Sequence, residues 1–255
     1  MQENPRMHVP GDWFRYWFNS PYYHKLYFER DEHEAEAFIS RLLGYLNPAN
    51  GSFMLDVACG RGRHARILAG SAFDVTGFDL SPDSIKFAKQ FEKDNLHFYE
   101  HDVRLPFWIN YFDYAFNFFT SFGYFRTERE HYNAIRTVGQ SIKSNGIFVI
   151  DYLNVHYAED HLVHKSQKEI DGIYYHLTKW FDETHFYKKI MIEDEALNEP
   201  IEFIEKIAKF SLGDFNDMLS YFGLQIQQVF GDYQLNGYDV KKSPRMVIVA
   251  KKRKS

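Results

Sequence analysis

The sequence is most informative at Leu55-Asp56-Val57-Ala58-Cys59-Gly60-Arg61-Gly62-Arg63-His64. Residues 53–58 form a mainly apolar run, which is typical of an inner strand of a parallel sheet. Gly60 and Gly62 allow a sharp turn and a close backbone approach that a Cβ atom would block. Helix-forming residues follow from His64. A strand, a glycine turn and a helix in this order predict a cradle for a nucleotide-like ligand.

The glycine spacing alone leaves two ligand classes open. The pattern Gly60-x-Gly62-x-x-Ala65 also fits the dinucleotide fingerprint of nicotinamide enzymes. Asp56 stands just before the turn, where its charge would repel a pyrophosphate and attract a cationic or ammonium-bearing ligand. The charge therefore favours S-adenosylmethionine over a dinucleotide.

Further acids stand at the ends of the next predicted strands. Residues 73–81 predict a second strand that ends at Asp79, about 20 residues after the turn, where a carboxylate accepts hydrogen bonds from ribose hydroxyls. Ser81 and Pro82 predict the N-cap and first turn of a helix. A third strand over residues 96–100 leads to Asp102, whose carboxylate could accept the adenine amino group. A fourth strand is predicted over residues 112–118. Asn117 stands near its end, and aromatic residues follow.

These four features, in this order, resemble the class I S-adenosylmethionine-dependent methyltransferases over residues 52–151. The resemblance implies that residues 56–62 wrap the methionine half of the cofactor, that Asp79 binds ribose and that Asp102 lies near adenine. Residues 117–125 and the tyrosine-rich N-terminal segment are similar to small-molecule methyltransferases, including those that methylate the amino group of nucleotide-linked sugars.

The predicted cofactor site combines the motif residues with two from the N-terminal segment. Its residues are Asp56, Ala58, Cys59, Gly60, Gly62, His64, Asp79, Leu80, Ser81, Asp102, Val103, Asn117, Phe118, Tyr22 and Arg30. Arg30 precedes a predicted helix, and its guanidinium could pair with the methionine carboxylate in a two-pronged geometry. The alternative for Arg30 is a surface salt bridge with a neighbouring acid.

The composition of the chain limits the kinds of partner and compartment that we expect for it. The 255 residues carry a formal charge of -5, which gives no general attraction to nucleic acid, and the basic residues 251–254 are expected to be a solvated end. Cys59 is the single cysteine, which fits a reducing cytoplasm. No apolar run is long enough to span a membrane, and the polar start is unlike a signal peptide. We expect a cytoplasmic enzyme with a small-molecule acceptor, and a homodimer is left open.

The order of the predicted elements gives a Rossmann-like α/β fold. Strands and helices alternate through residues 51–165, and with residues 211–255 they predict a seven-stranded methyltransferase sheet with helices on both faces. Residues 1–50 are predicted to form a helical lid. Residues 166–210 change to a period of two and predict an inserted antiparallel sheet with strands at 168–182, 185–194 and 201–210.

The expected chemistry is methyl transfer to a nitrogen or oxygen atom of a small molecule. This in-line displacement depends mainly on alignment, so the sequence predicts neither a metal nor an identifiable catalytic residue. Aromatic rings near the sulfonium, among them Tyr22, Tyr23, Tyr27 and Phe118, could hold the cation. Two alternatives stay open: a module that binds S-adenosylmethionine without turnover, and a nicotinamide-dependent oxidoreductase, which Asp56 disfavours.

Overall fold

The described residues, 11–27 and 32–254, form two β-sheets in this computed structural model. The first strands are β1 (Phe53–Val57), β2 (Asp74–Asp79), β3 (Leu96–Glu100), β4 (Phe112–Asn117) and β5 (Ile142–Leu153). The second sheet contains β6 (Lys165–Ile170), β7 (Ile173–Phe181), β8 (His185–Glu193) and β9 (Ile201–Ala208). The chain then returns to the first sheet with β10 (Leu224–Phe230) and β11 (Arg245–Lys252). The order of the seven-stranded sheet is β10-β11-β5-β4-β1-β2-β3.

Helices cover both faces of the seven-stranded sheet. The described helices are α1 (Trp13–Phe18), α2 (Pro21–Leu26), α3 (Glu32–Leu46), α4 (Arg63–Gly70), α5 (Pro82–Ala88), α6 (Glu128–Ser141), α7 (Val155–Asp160) and α8 (Leu212–Tyr221). Neighbouring residues of a strand point to opposite faces. Met54 of β1 packs in a cluster with Phe38 of α3, whereas Leu55 packs in a cluster with Phe215 of α8. The predicted Rossmann-like α/β fold with its inserted sheet is confirmed.

The central strand β1 fixes the position of the crevice. It pairs in parallel with β2 on one side and with β4 on the other, so Asp56 stands opposite both Gly77 and Phe116. The strand order reverses between β1 and β4, and ligands of open α/β sheets bind outside the carboxyl ends of the strands at such a point. β11 is antiparallel to β5, so the sheet is mixed rather than purely parallel.

The second sheet has four strands, so the expectation of three was wrong. A hairpin turn at Asp171 and Gly172 divides the segment that was predicted as one strand. Both residues have positive φ angles, 51° and 78°, as a type I′ turn requires, and Asp-Gly favours that turn. The predicted alternation is confirmed along β7, where Ile173, Tyr175 and Leu177 are buried.

The N-terminal helices pack on this second sheet. Trp13, Phe14 and Trp17 of α1 share a buried cluster with Tyr175 of β7 and Ile190 of β8. The two segments are far apart in the sequence, so each supplies the apolar face that the other needs to bury. No helix in the described parts of the chain has the length and apolar character needed to cross a membrane.

Two helix ends show how packing and capping act. Gly44 lies inside α3, which continues to Leu46, because burial of Phe38 and Leu42 outweighs the cost of about 1 kcal/mol for an internal glycine. A capping box begins α8: the Ser211 side chain accepts the Asp214 N–H, and Asp214 accepts the Ser211 N–H at 2.7 Å.

Candidate active site

A cavity of about 390 Å³ opens at the carboxyl ends of the central strands. Its volume lies within the range of small-molecule sites. The exits of β1 to β3 contribute Ala58, Gly60, Asp79, Leu80, Ser81, His101, Asp102 and Val103. The exits of β4 and β5, the start of β11 and strand β9 contribute Phe119, Thr120, Ser121, Tyr124, Leu153, Glu205, Ile207 and Arg245. The segment 14–27 adds further aromatic and polar walls.

Asp79 joins the glycine turn to the end of β2. Its Oδ2 accepts the Gly60 N–H at 2.9 Å, and its Oδ1 accepts the Ser81 N–H at 2.8 Å. Burial raises the pKa of the Asp79 carboxyl, and these backbone N–H groups oppose the rise. Each carboxylate oxygen has a second lone pair, so Asp79 can still accept hydrogen bonds from a ligand in the cavity.

Gly60 and Gly62 of the turn are each required to be glycine, but for different structural reasons. Gly60 has a φ of 54°, and a Cβ built there would meet no heavy atom within 4 Å, so the turn leaves open space along the cavity wall. A Cβ on Gly62 would lie 2.5 Å from the Phe98 ring, so Gly62 is needed for packing against β3. The open space at Gly60 fits a ligand that approaches the backbone closely.

Asp102 lines the cavity within a network of charges. Arg104 donates to both of its carboxylate oxygens, at 2.7 to 3.2 Å, and also pairs with Glu130 at 2.5 Å. Arg15 of α1 approaches Asp102 at 3.7 Å. Burial acts to raise the pKa of Asp102, but the Arg104 hydrogen bonds outweigh it and the pKa lies below its usual value. Asp102 is therefore a fixed, ionised acceptor.

Asp56 and Asn117 lie behind the cavity wall. Asp56 is 1% exposed, and burial raises its pKa to about 8, so the carboxyl is mostly protonated at neutral pH. The Asn117 side chain donates to the Val57 carbonyl at 3.0 Å and so joins the ends of β4 and β1. Asp56 Oδ2 and Asn117 Oδ1 are buried with no hydrogen-bond partner among the described residues. The attraction expected between an ionised Asp56 and a cationic ligand is weakened by this protonation.

The other predicted site residues divide between the wall and the layer behind it. Ala58, Leu80, Ser81 and Val103 line the cavity. Phe118 instead stacks on Phe116 in the core, with ring centroids 5.3 Å apart, and Phe119 faces the cavity. His64 is buried and stacks on Phe119 at 5.0 Å. Cys59 is a buried thiol whose pKa is raised by burial.

In the N-terminal segment, neighbours of Tyr22 line the cavity, whereas Tyr22 itself does not. The Tyr22 hydroxyl donates to Asp194 at 2.9 Å, and Tyr22 is not among the cavity-lining residues that the described chain provides. Tyr23 and Tyr27 line the cavity in its place. On a helix, residues one position apart face different directions, so the aromatic run did not show which ring points inward. Arg30 lies outside the described residues.

A buried ion pair supports the exit of β4. Asp151 is fully buried; it accepts the Phe119 N–H at 2.8 Å, and the Arg245 guanidinium pairs with it at 2.7 Å. Arg245 also donates to the Thr120 hydroxyl at 2.9 Å. Phe119 and Thr120 both have positive φ angles, 56° and 58°, which cost about 1 to 3 kcal/mol each outside glycine. The network holds a strained turn at the cavity, and no local sequence pattern predicts it.

Glu205 is a cavity residue that sequence reasoning missed. Its Oε1 accepts the Trp17 indole N–H at 2.7 Å and the Tyr27 hydroxyl at 2.8 Å, so β9 is tied to α1 and to the end of α2. Lys188 of β8 lies 3.7 Å from Oε2. The available signal was a carboxylate at an inward position of an alternating strand, but the strand is about 150 residues beyond the glycine turn, and its proximity depends on the fold.

The strand order, the glycine turn and the cavity together define a methyltransferase fold. The chain belongs to a methyltransferase-domain family, and the family model matches residues 49–195. A protein of Geobacillus sp. (strain WCH70), named as a candidate methyltransferase, is 23% identical over 248 residues, covering 94% of this chain and 98% of that protein. A similarly named protein of Bacillus subtilis (strain 168) is 31% identical over 101 residues, 38% of this chain and 41% of that protein.

Solved structures share the fold at low sequence identity. An S-adenosylmethionine-dependent methyltransferase from Clostridium acetobutylicum has a TM-score of 0.76 at 17% identity and covers 91% of this chain and 96% of its own. The sugar N-methyltransferase KedS8 from Streptoalloteichus has a TM-score of 0.70 at 17% identity, covering 88% and 89%. The sequence-based expectation of a methyltransferase that uses S-adenosylmethionine is confirmed.

Proposed function

We propose that this protein transfers the methyl group of S-adenosylmethionine to a nitrogen or oxygen atom of a small molecule. The observation that carries the proposal is one cavity that joins the glycine turn and Asp79 to a separate set of residues around Tyr124, Glu205 and Arg245. Such a cavity can hold a cofactor and an acceptor side by side. Support also comes from similar folds, among them a sugar N-methyltransferase and an amino pentose methyltransferase.

We assign the cofactor to the β1–β3 side of the cavity. Asp79 accepts from the ribose hydroxyls, Asp102 accepts from the adenine amino group, and Leu80 and Val103 flank the adenine ring. The open backbone at Ala58 and Gly60 holds the methionine half. Six further residues have an indirect role, since they lie behind the cavity wall and shape its turns: Asp56, Cys59, Gly62, His64, Asn117 and Phe118. Arg30 stays a prediction for the methionine carboxylate.

The residues of this chain contribute alignment and exclusion of water. The bound cofactor supplies a methyl group on a positively charged sulfur. Segment 14–27 and strand β9 both line the cavity, so they can cover an acceptor held against the strand ends. Holding two reactants in line is worth up to roughly 7 to 11 kcal/mol of the barrier. We infer that the part of residues 1–50 before α3 acts as a lid on the core at 51–165 and 211–255, with α3 packed on the sheet, and that the insertion at 166–210 closes the acceptor side.

We also propose a cytoplasmic location, with a small-molecule acceptor and without a nucleic-acid or membrane partner. The buried free thiol of Cys59 and the net charge of -5 support this proposal. A homodimer stays a prediction, and size-exclusion chromatography with light scattering measures it directly.

Turnover tests the proposed function. The full chain is incubated with S-adenosylmethionine labelled in the methyl group and with a panel of small amines and hydroxyl compounds, and S-adenosylhomocysteine is quantified. We expect product that depends on both the enzyme and one class of acceptor. Tight binding of S-adenosylhomocysteine without acceptor-dependent turnover would instead favour the binding module.

A further inference from the structure

Glu205 presents a buried carboxylate to the acceptor side of the cavity. The residue is 8% exposed and lines the cavity from strand β9. Its two hydrogen bonds from Trp17 and Tyr27 both go to Oε1. The Lys188 ammonium lies 3.7 Å from Oε2, beyond hydrogen-bond distance, so Oε2 keeps lone pairs for a ligand. A carboxylate oxygen in this position can accept a hydrogen bond from a bound molecule.

The charge near Glu205 is balanced. The Lys188 ammonium lies close enough to offset part of the negative charge of Glu205. Aromatic rings from Phe18, Tyr23, Tyr27 and Tyr124 line the same cavity. The site therefore offers one strong acceptor atom in apolar surroundings, with a weaker pull on a full positive charge than an isolated carboxylate would exert.

We propose that Glu205 positions the acceptor by accepting a hydrogen bond from the N–H of a neutral amine, and that the substrates are small primary or secondary amines. This inference rests on the proposed methyltransferase function and specifies its acceptor. An ammonium ion has no lone pair for attack, so a site that balances its own charge favours the reactive, neutral form. A carboxylate is a far weaker base than an alkoxide, so a hydrogen bond to Glu205 does not ionise an alcohol, whereas a neutral amine attacks without losing a proton first.

The step balances without a further reactant. The amine lone pair forms a bond to the methyl carbon, and the carbon–sulfur bond breaks with its electron pair going to sulfur. The sulfonium charge passes to the methylated amine, which then releases its extra proton to solvent. Glu205 orients the N–H so that the lone pair faces the methyl group, and it is neither consumed nor required to hold the proton. It is a positioning residue.

The first experiment measures binding of matched probes. Cyclohexylamine and cyclohexanol, and glucosamine and glucose, are titrated into the full chain saturated with S-adenosylhomocysteine at about pH 7 and again at about pH 9. A larger share of each amine is neutral at the higher pH, so amine affinity should rise between the two. We expect at least one amine to bind and its hydroxyl counterpart to bind much more weakly. Binding of neither amine, or equal binding of amine and alcohol, overturns the proposal.

The second experiment compares three variants with the amine that binds. Glu205→Gln keeps the size and an oxygen for Trp17 and Tyr27 but removes the charged acceptor, so amine affinity should fall about ten- to a hundred-fold. Glu202→Gln is the matched control, because Glu202 stands on the same strand in a surface pair with Lys189. Trp17→Phe removes the donor to Oε1 while leaving Oε2 in place, and it should lower amine affinity less than Glu205→Gln does.

Cofactor affinity separates this inference from the proposed function. S-adenosylhomocysteine should bind wild type and Glu205→Gln within about twofold, a difference well below one charged hydrogen bond. Equal losses of amine affinity in Trp17→Phe and Glu205→Gln would show that Glu205 only ties the sheet to α1, and would overturn the positioning role. If amines bind through Glu205 but no acceptor is methylated, the proposed function fails while the amine site stands.

Discussion

Asp79 joins the glycine turn to the end of β2, and its carboxylate is also the proposed ribose acceptor. It accepts two backbone N–H groups, from Gly60 and Ser81, and it lines the cavity. A carboxylate already fixed by two donors loses little freedom when a ligand binds, which favours tight binding of a diol. This geometry explains why the acid follows the second strand at a fixed distance from the glycine turn.

The first prediction concerns Asp79→Ala. The variant should bind S-adenosylhomocysteine more weakly by about 1.5 to 3 kcal/mol, because two ribose hydroxyls lose a charged acceptor. Isothermal titration measures the loss. Asp74→Ala, at the other end of the same strand, is the control and should bind normally. Unchanged affinity in a folded Asp79→Ala protein would refute the ribose assignment.

The second prediction concerns the stability of the ligand-free protein and Asp56. Its pKa rises from 3.8 to about 8 on folding, so between these values the native protein holds a proton that the unfolded chain has released. The free energy of unfolding must then decrease as pH rises through this window, by up to about 1.4 kcal/mol per pH unit from this group. Asp56→Asn removes this contribution.

Urea denaturation at pH 5, 6.5 and 8 measures the effect. Wild type should lose more stability than Asp56→Asn between pH 5 and pH 8, since the asparagine does not ionise and can still accept the Ala65 N–H. Parallel pH profiles for the two proteins would show that Asp56 ionises normally in the native state.

At the scale of elements, α1 and the residue after it contact the ends of β2 and β3, which form the proposed cofactor side of the cavity. The Ser81 hydroxyl donates to Asn19 Oδ1 at 2.5 Å, directly after α1, and Arg15 pairs with Asp102. The same helix is tied to the second sheet through Trp17 and Glu205. A ligand enclosed by α1 can leave only when these contacts open, so α1 should govern the rate of release.

The third prediction concerns Asn19→Ala. The variant loses the hydrogen bond from Ser81 and also the bond from the Asn19 amide to the Arg15 carbonyl within α1. Loss of the neutral hydrogen bond to Ser81, about 0.5 to 1.5 kcal/mol, should speed the dissociation of S-adenosylhomocysteine about two- to tenfold in stopped-flow measurements. Tyr16→Ala, at an exposed position of α1, is the control. If both variants release the ligand at the wild-type rate, the contact between α1 and Ser81 does not hold the lid closed.

Local patterns predicted most of the elements for identifiable reasons. The buried run of β1 and the capping box at Ser211 follow from burial and from N-cap hydrogen bonds, which nearby residues determine. The hairpin at Asp171 and Gly172 was missed because alternation continues across a two-residue turn, although the Asp-Gly pair marks it. The length of β5 does not follow from local patterns, because its pairing with β11 depends on residues that are about 100 positions later in the chain.

At the scale of the whole molecule, the cavity residues that follow β1 to β3 were predictable from the sequence, and those on the opposite side of the cavity were not. Asp79, Asp102 and Gly60 lie near one another in a motif of consecutive strand ends, so spacing placed them correctly at the cavity. Glu205, Arg245 and Phe119 reach the cavity through the inserted sheet, an antiparallel strand and a strained turn. Their positions depend on long-range packing, which no single window of the sequence contains.

The most direct test of the central claim is isothermal titration of the full chain with S-adenosylmethionine, S-adenosylhomocysteine and NADH under identical conditions. We predict that the first two bind at one site per chain and compete with each other, and that NADH does not displace them. Binding of NADH at that site, with no heat from either S-adenosyl compound, would contradict the assignment of this cavity to methyl transfer.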